Sequence, residues 1–341
     1  MDKQIVFVEK NKAELLDVES QTLGANQVRV KTVFSTISNG TEKANIMGDP
    51  MVSIYSKDTD EVVFPRYVGY STSGIVVEKG ENVKQLEIGD AVAMSWTKHR
   101  SYNVINEENA VVFNSNKVSF AEASIAHIAV FPLAAVRKTR VEIGESAIVM
   151  GLGILGLLAV GLLRAAGATP IIAVDPVKER REKAIRFGAD YAFDPSDVNF
   201  VEMVKKVSGS GVNVAIEVTG KGAGLNQVLD CMAKFGRVAL LGCTRNSDFT
   251  VDYYRKVHGP GISLIGAHTN ARPQRESYPG FFTTADDMKA VLKLCETGRL
   301  DLKSIIDKTH FPSECEAVFK NLVNDTNFPT VVQFDWSEVH I

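Results

Sequence analysis

The sequence predicts an α/β protein in which a doubly wound parallel sheet follows a β-rich, barrel-like part that the end of the chain completes. Three observations carry this expectation. Up to about Ala121, short β-branched runs alternate with turn residues, as in QVRVKTVFS, SGIVVEKG, GDAVAMSW and NAVVF, which is the texture of strands. From about Glu145, apolar strands alternate with helical stretches, as a parallel sheet requires when each crossover lays a helix on one of its faces. At 341 residues the chain also exceeds the size at which a single core stops growing.

In order, the expected strands of the sheet are SAIVM, PIIAV, YAFD, VNVAIEV, RVALLG and ISLIGA, with helices beginning near Ile154, Val177, Asn199, Gly222 and Thr250. After Gly266 comes the loop TNARPQRESYPG, then two helices, ADDMKAVLKLCETG and SECEAVFKNLV, and a last strand, TVVQFDW. Such a tail folds back on the first half. The expected domains are therefore residues 1–127 with 268–341, and residues 128–267.

Hydrophobic residues at 45% and charged residues at 23% are ordinary for a soluble protein. A net charge of -3 without long runs of one sign gives no footprint for nucleic acid or an anionic membrane surface. The four cysteines, Cys231, Cys243, Cys295 and Cys315, form no CxxC pair, and the opening MDKQIVFVEK alternates as a strand rather than as a leader. A reducing, cytoplasmic setting is expected. The apolar segment from Ala147 to Leu163 falls just short of the roughly 18 to 20 residues that span a bilayer, and its glycines divide it into a strand, a turn and a buried helix.

That segment carries the clearest motif. SAIVMGLGILG places GxGxxG between a buried strand and a helix, the context of a Rossmann dinucleotide-binding turn. Gly151 makes the tight turn, Gly153 lets a pyrophosphate approach the backbone, and Gly156 lets helix and strand pack closely. The phosphates would meet the free N–H groups of Ile154 and Leu155 at the helix start. Asp175 ends the next strand about 20 residues on, where a carboxylate accepts from the adenosine ribose hydroxyls and repels a 2′-phosphate, so NAD is the expected cofactor. The same residue could instead cap the following helix, and Arg180 and Arg181 leave room for a 2′-phosphate. Val218, Thr219, Leu241, Gly242, Ala267 and His268, at the ends of later strands, are further candidates for cofactor contact.

With this loop in mid-chain, and with GDAV at Gly89, SFAEAS at Ser119, VEIGESAIVMGLGILG at Val141, RFGAD at Arg186 and EVTG at Glu217, the chain resembles the medium-chain dehydrogenase/reductase superfamily over essentially its whole length. The resemblance implies a GroES-like barrel as the catalytic domain and a homo-oligomer, a dimer or tetramer. Zinc-bearing members carry a cysteine in Cys-Gly-(Ser/Thr)-Asp, a histidine in Gly-His-Glu, and a third ligand just before the cofactor domain. Here STISNGTEK puts Asn39 at the first position, PRYVGYSTSG puts Tyr70 at the second, and IAHIAVFPL puts His127 at or beside the third. The four-cysteine lobe of many relatives is missing. No metal is expected, because Asn and Tyr are poor zinc ligands at neutral pH. The phrase ISNGTEK is also similar to a zinc-free branch that includes the bacteriochlorophyllide hydroxyethyl dehydrogenases and the bi-domain oxidoreductases.

Without zinc, alcohol oxidation needs a side chain to take the hydroxyl proton. His127 is the first candidate, because the imidazole reference pKa lies nearest neutrality; a histidine satisfied within an apolar helix is the alternative. Tyr70 could orient the substrate oxygen, with Lys43 as a neighbouring cation, and Thr41 could relay a proton or simply cap a turn beside Gly40. His99 and His268 are weaker candidates, His99 in a loop and His268 beside the cofactor. Asn270, Arg272, Arg275 and Glu276 offer polar groups to a substrate or form a solvated loop. The expected activity is a zinc-independent, NAD-linked dehydrogenase of an alcohol, polyol or sugar. The alternatives are a reductase of activated C=C bonds and a non-catalytic NAD-binding protein.

Overall fold

The computed structural model describes residues 1–53, 61–245, 247 and 249–339. It divides into two units: residues 1–128, 288–297 and 302–341, and residues 129–287 with 298–301.

The first unit opens with β1 (Asp2–Glu9), β2 (Lys12–Val18) and β3 (Gln27–Thr36), followed by the helix α1 (Asn39–Ile46). After β4 (Arg66–Tyr67) come β5 (Ser71–Lys79), β6 (Ala91–Ser95), β7 (Tyr102–Asn106) and β8 (Ala110–Val112), then the short α2 (Phe120–Ala123). Helix α2 starts at a capping box, in which the Ser119 hydroxyl accepts the Glu122 N–H and the Glu122 carboxylate accepts the Ser119 N–H, so two otherwise orphaned donors are satisfied.

Helix α1 departs from the expected all-strand reading. Glu42, Lys43 and Ala44 are good helix formers, and the Glu42 carboxylate reaches back to the Ser38 N–H at 3.0 Å. Thr41 therefore sits in the first turn of a helix rather than in an isolated turn.

The unit boundary falls within α3 (Ala126–Thr139), after Ile128. Beyond it run β9 (Ala147–Met150), α4 (Ile154–Ala166), β10 (Ile171–Val174), α5 (Lys178–Arg186), β11 (Tyr191–Phe193), α6 (Phe200–Ser208), β12 (Val212–Glu217), α7 (Gly222–Cys231), β13 (Met232–Leu240) and β14 (Ser263–Gly266). The helix expected near Thr250 is a single wide turn, Tyr254–His258. Six parallel strands form one sheet in the order β11-β10-β9-β12-β13-β14. This is the doubly wound order, with its reversal between β9 and β12. The strand β9 is buried throughout and α4 is apolar on nearly every side, which accounts for the long hydrophobic run. Among the described residues no helix is long and apolar enough to cross a membrane.

The chain ends with α8 (Thr284–Glu296), β15 (Lys308–His310), α9 (Cys315–Asn324) and β16 (Val332–Asp335). The returning tail completes the first unit: β16 pairs antiparallel with β3, within a sheet ordered β15-β16-β3-β5-β6-β8, with β7 also on β3. The core there gathers Ile5, Phe7, Ile37 and Ile46 with Phe319, Phe334 and Trp336.

Residues 268–287, expected with the first unit, belong to the second. The reason is electrostatic. Asp287 is fully buried and accepts from Arg137 Nε at 2.8 Å and Arg272 Nη1 at 3.4 Å, while Arg272 Nη2 donates to the Val130 carbonyl. The Arg272 side chain is only 5% exposed, so this stretch is anchored by a buried guanidinium rather than solvated.

Candidate active site

The cofactor candidates share one geometric origin. Met150, Val174, Glu217, Leu240 and Gly266 form an in-register row across five neighbouring strands of the second unit. Gly151, Asp175, Val218, Leu241 and Ala267 are each the next residue, so they line the carboxyl edge of the sheet, where doubly wound folds bind ligands.

The glycine loop meets its three requirements. Gly151 has φ +96°, a left-handed conformation that favours glycine. A Cβ on Gly156 would lie 1.8 Å from the Gly151 carbonyl oxygen, whereas one on Gly153 would meet nothing within 4 Å. The second glycine thus opens onto free space and the third is pressed against backbone. Gly153 also caps α4, whose first N–H groups, from Ile154 onward, have no partner within the helix. A dinucleotide pyrophosphate fits this cradle.

Asp175 is 4% exposed, and its carboxylate accepts the Leu152 N–H at 2.8 Å and the Val177 N–H at 2.9 Å. It therefore ties the glycine loop to the turn before α5 without capping that helix, whose N-cap is Val177, while each carboxylate oxygen keeps capacity for a ribose hydroxyl. Of the two arginines, Arg181 is engaged by the Asp175 and Pro176 carbonyls and by Asp194. Arg180 lies 3.8 Å from the Asp175 carboxylate. His268 follows β14, its Nδ1 accepts the Asn270 N–H at 3.2 Å, and burial, with nearby Lys138, pushes its pKa down.

Glu217 was missed in the sequence and organises this edge. Its carboxylate accepts the Thr219 N–H at 2.8 Å, the Thr219 hydroxyl and the Gly220 N–H at 3.1 Å, while its carbonyl takes the Leu241 and Gly242 N–H groups at 2.9 Å. Burial pushes its pKa up, against the lowering effect of those hydrogen bonds. A carboxyl whose pKa is raised by burial holds its proton more firmly in the folded chain than in the unfolded one, so the contribution of Glu217 to stability is present at low pH and is lost as pH rises through the raised pKa. Glu217→Gln should remove that part of the pH dependence of stability. Thermal unfolding followed against pH checks this; parallel pH profiles for the two proteins would remove Glu217 from the explanation.

In the first unit, His127 on α3 is fully buried. Its Nδ1 lies 2.6 Å from the Tyr70 carbonyl oxygen. A carbonyl only accepts, so Nδ1 carries the proton and Nε2 presents a lone pair, the tautomer being assigned from this bond. The Tyr70 ring stands edge-on to the imidazole at 5.5 Å between centroids, and the Tyr70 hydroxyl donates to Ser38 Oγ at 2.5 Å.

Sequence reading also missed Trp96. Its ring packs edge-on to His127 at 4.7 Å while half of the residue stays exposed, and its backbone N–H donates to the same Tyr70 carbonyl at 2.9 Å. Its φ of +60° is left-handed, a strained setting for an aromatic residue. The structure therefore brings Tyr70 and His127 together with Ser38 and Trp96. Thr41 and Lys43 lie further along α1, and the residue at the Tyr70 hydroxyl is Ser38 rather than Lys43.

The zinc that the resemblance implies does not fit these residues. Asn39 turns its amide nitrogen onto the Pro329 and Thr330 carbonyls at 2.9 and 3.2 Å, and Tyr70 donates to Ser38, which leaves His127 as the one good ligand of the three positions. Among the described residues no three His, Cys, Asp or Glu side chains come together to hold a metal. His99, expected in a loop, is instead wholly buried against Glu42.

Comparison with known proteins agrees with this architecture. Residues 24–139 match the alcohol dehydrogenase GroES-like domain and residues 155–287 the zinc-binding dehydrogenase family. The chain is 26% identical to an L-threonine 3-dehydrogenase of Pyrococcus horikoshii, over 90% of this chain and 91% of that protein. It is 24% identical to a D-guloside 3-dehydrogenase of Shigella flexneri, over 89% and 91%. Its fold superposes on a short chain alcohol dehydrogenase from Escherichia coli CFT073, complexed with NADH, with a TM-score of 0.82 at 18% identity, covering 98% of this chain and 99% of that one. With a GroES-like domain and a zinc-binding dehydrogenase domain matched in turn along the chain, these likenesses support the medium-chain dehydrogenase superfamily.

Proposed function

We propose that this protein is a zinc-independent, NAD-dependent oxidoreductase that transfers hydride between NAD(H) and an alcohol or ketone, with polyols and sugars as the first substrates to test. The observation that carries the reading is the His127 imidazole, held by its Nδ1–H on the Tyr70 carbonyl with Nε2 as an acceptor, at or beside the place where the resemblance puts a metal ligand. Relatives named for oxidation of a threonine or a guloside support an alcohol carbon as the reacting centre.

When bound, the nicotinamide supplies the hydride acceptor or donor. This chain supplies the rest. Oxidation of an alcohol releases a proton, which His127 Nε2 accepts; in the reverse direction the imidazolium returns it to the forming alkoxide. Tyr70, anchored on Ser38, and the Trp96 ring fix the imidazole and present a partly apolar surface beside it. The second unit binds the dinucleotide through the Gly151–Gly156 loop, with Asp175 favouring NAD over NADP by charge. A screen of alcohols, polyols, sugars and enones for NAD reduction or NADH oxidation tests the reaction class. Turnover confined to enones would favour the C=C reductase instead.

Zinc independence has its own test. Purified protein is expected to keep at least about 80% of its activity after exhaustive chelation, because no step above needs a Lewis acid. One tightly held zinc per chain, with activity lost on its removal, would overturn that part of the proposal.

A further inference from the structure

Two buried titratable side chains of the first unit have no part in the chemistry above. His99 is wholly buried and Glu42 is 1% exposed. Their hydrogen bonds can be oriented from the two ends. The Trp336 indole only donates, and its Nε1–H reaches Ser35 Oγ at 2.9 Å. At the other end the Glu42 carboxylate only accepts, so His99 donates to it from Nε2, and a neutral imidazole then takes the Ser35 hydrogen at Nδ1, 2.7 Å away. The imidazole proton is then on Nε2, which faces the two Glu42 oxygens at 3.1 and 3.0 Å.

From Glu42 the path continues toward His127. Glu42 Oε1 also accepts the Ser38 N–H at 3.0 Å, the Ser38 hydroxyl accepts the Tyr70 O–H at 2.5 Å, and the Tyr70 carbonyl accepts from His127 Nδ1 at 2.6 Å. Every contact lies within the first unit. A buried carboxylate–imidazole pair is a poor device for stability alone, since apolar residues of equal volume often serve as well. What it provides here is a fixed place for Ser38 at the start of α1.

We propose that Glu42 and His99 are positioning residues, whose buried pair locks Ser38, and through its hydroxyl Tyr70, so that His127 is held in the one tautomer that leaves Nε2 as the base. The proposal rests on the reading of His127 as proton acceptor, but its decisive readout needs no substrate.

The test compares Glu42→Gln, Ser38→Ala and His99→Gln in the full chain, by imidazole nitrogen NMR of His127, NADH titration and steady-state kinetics. In Glu42→Gln the new amide cannot accept from both His99 and Ser38 at full strength. In Ser38→Ala the Tyr70 hydroxyl loses its acceptor while the buried pair is untouched. Both are expected to turn the single His127 tautomer signal into a mixture, and to lower kcat about fivefold or more with KM and NADH affinity within about twofold. His99→Gln keeps a donor toward Glu42 and should retain more kcat and more of the single tautomer than Glu42→Gln. An unchanged His127 spectrum in folded Glu42→Gln and Ser38→Ala would overturn the proposal. Should Glu42→Gln fail to fold, His99→Gln and Ser38→Ala decide together: an unchanged His127 spectrum in both overturns the proposal. Should no alcohol or ketone turn over with wild-type protein, the functional reading fails while the spectrum still judges the positioning.

Discussion

Replacing His127 with alanine is expected to lower turnover at least about tenfold, the lower edge of what an acid/base group contributes, while NADH affinity stays within about threefold. The two halves of this expectation have separate physical grounds. The imidazole Nε2 is the group that takes the substrate proton in the proposed reaction, and alanine offers nothing in its place. The groups expected to bind the dinucleotide, from Gly151 to His268, lie in the second unit, so loss of a side chain at residue 127 removes none of them. Initial rates followed by nicotinamide absorbance, with NADH fluorescence titration alongside, separate the outcomes. Unchanged turnover would take His127 out of the mechanism. An equal loss of rate and of NADH affinity would point to a disturbed fold.

Gly156→Ala is expected to cost about 1–3 kcal/mol of stability through overpacking and, separately, to weaken NADH binding by displacing the N–H groups at the start of α4. The added Cβ would sit 1.8 Å from the Gly151 carbonyl oxygen and 2.9 Å from its carbon. Backbone cannot rotate aside as a side chain can, so α4 must back away from β9, and the N–H groups that face the pyrophosphate move with it. Gly153→Ala is the informative partner, because its Cβ would meet no atom within 4 Å. That variant should fold as the wild type does and still bind NADH more weakly, since the Cβ fills the space a phosphate needs. Thermal unfolding and NADH titration of both variants check the pair. Wild-type NADH affinity in Gly153→Ala would refute the assigned approach of the dinucleotide.

The contrast between these glycines also shows what the sequence made legible. Strand, turn and helix around Gly151, and the alternation that follows, are written in local periodicity and in residues with one conformational use. The ends of five of the strands could be named because a parallel sheet aligns them in register. What stayed hidden depends on distant partners. Glu42 and His99 stand 57 residues apart, and no local pattern pairs them. Helix α1 was obscured because NGT reads as a turn until the Glu42 side chain is seen to close on Ser38. Trp96 looked like the end of a strand, and only its left-handed backbone carries it onto His127. Arg272 read as a surface charge because its acceptor at Val130 and its carboxylate at Asp287 come from other segments.

The antiparallel pairing of β16 with β3 sets an order of events during synthesis. Gln333 and Thr36 are joined across 297 residues, and Trp336 reaches Ser35 across 301. The second unit's sheet, by contrast, is complete once residue 266 has left the ribosome. That sheet can therefore form while β3 still presents an open edge, and the first unit must wait for β16. Until then, the strand leading to Ser38 and α1 presents an unpaired edge to any other chain that could pair with it.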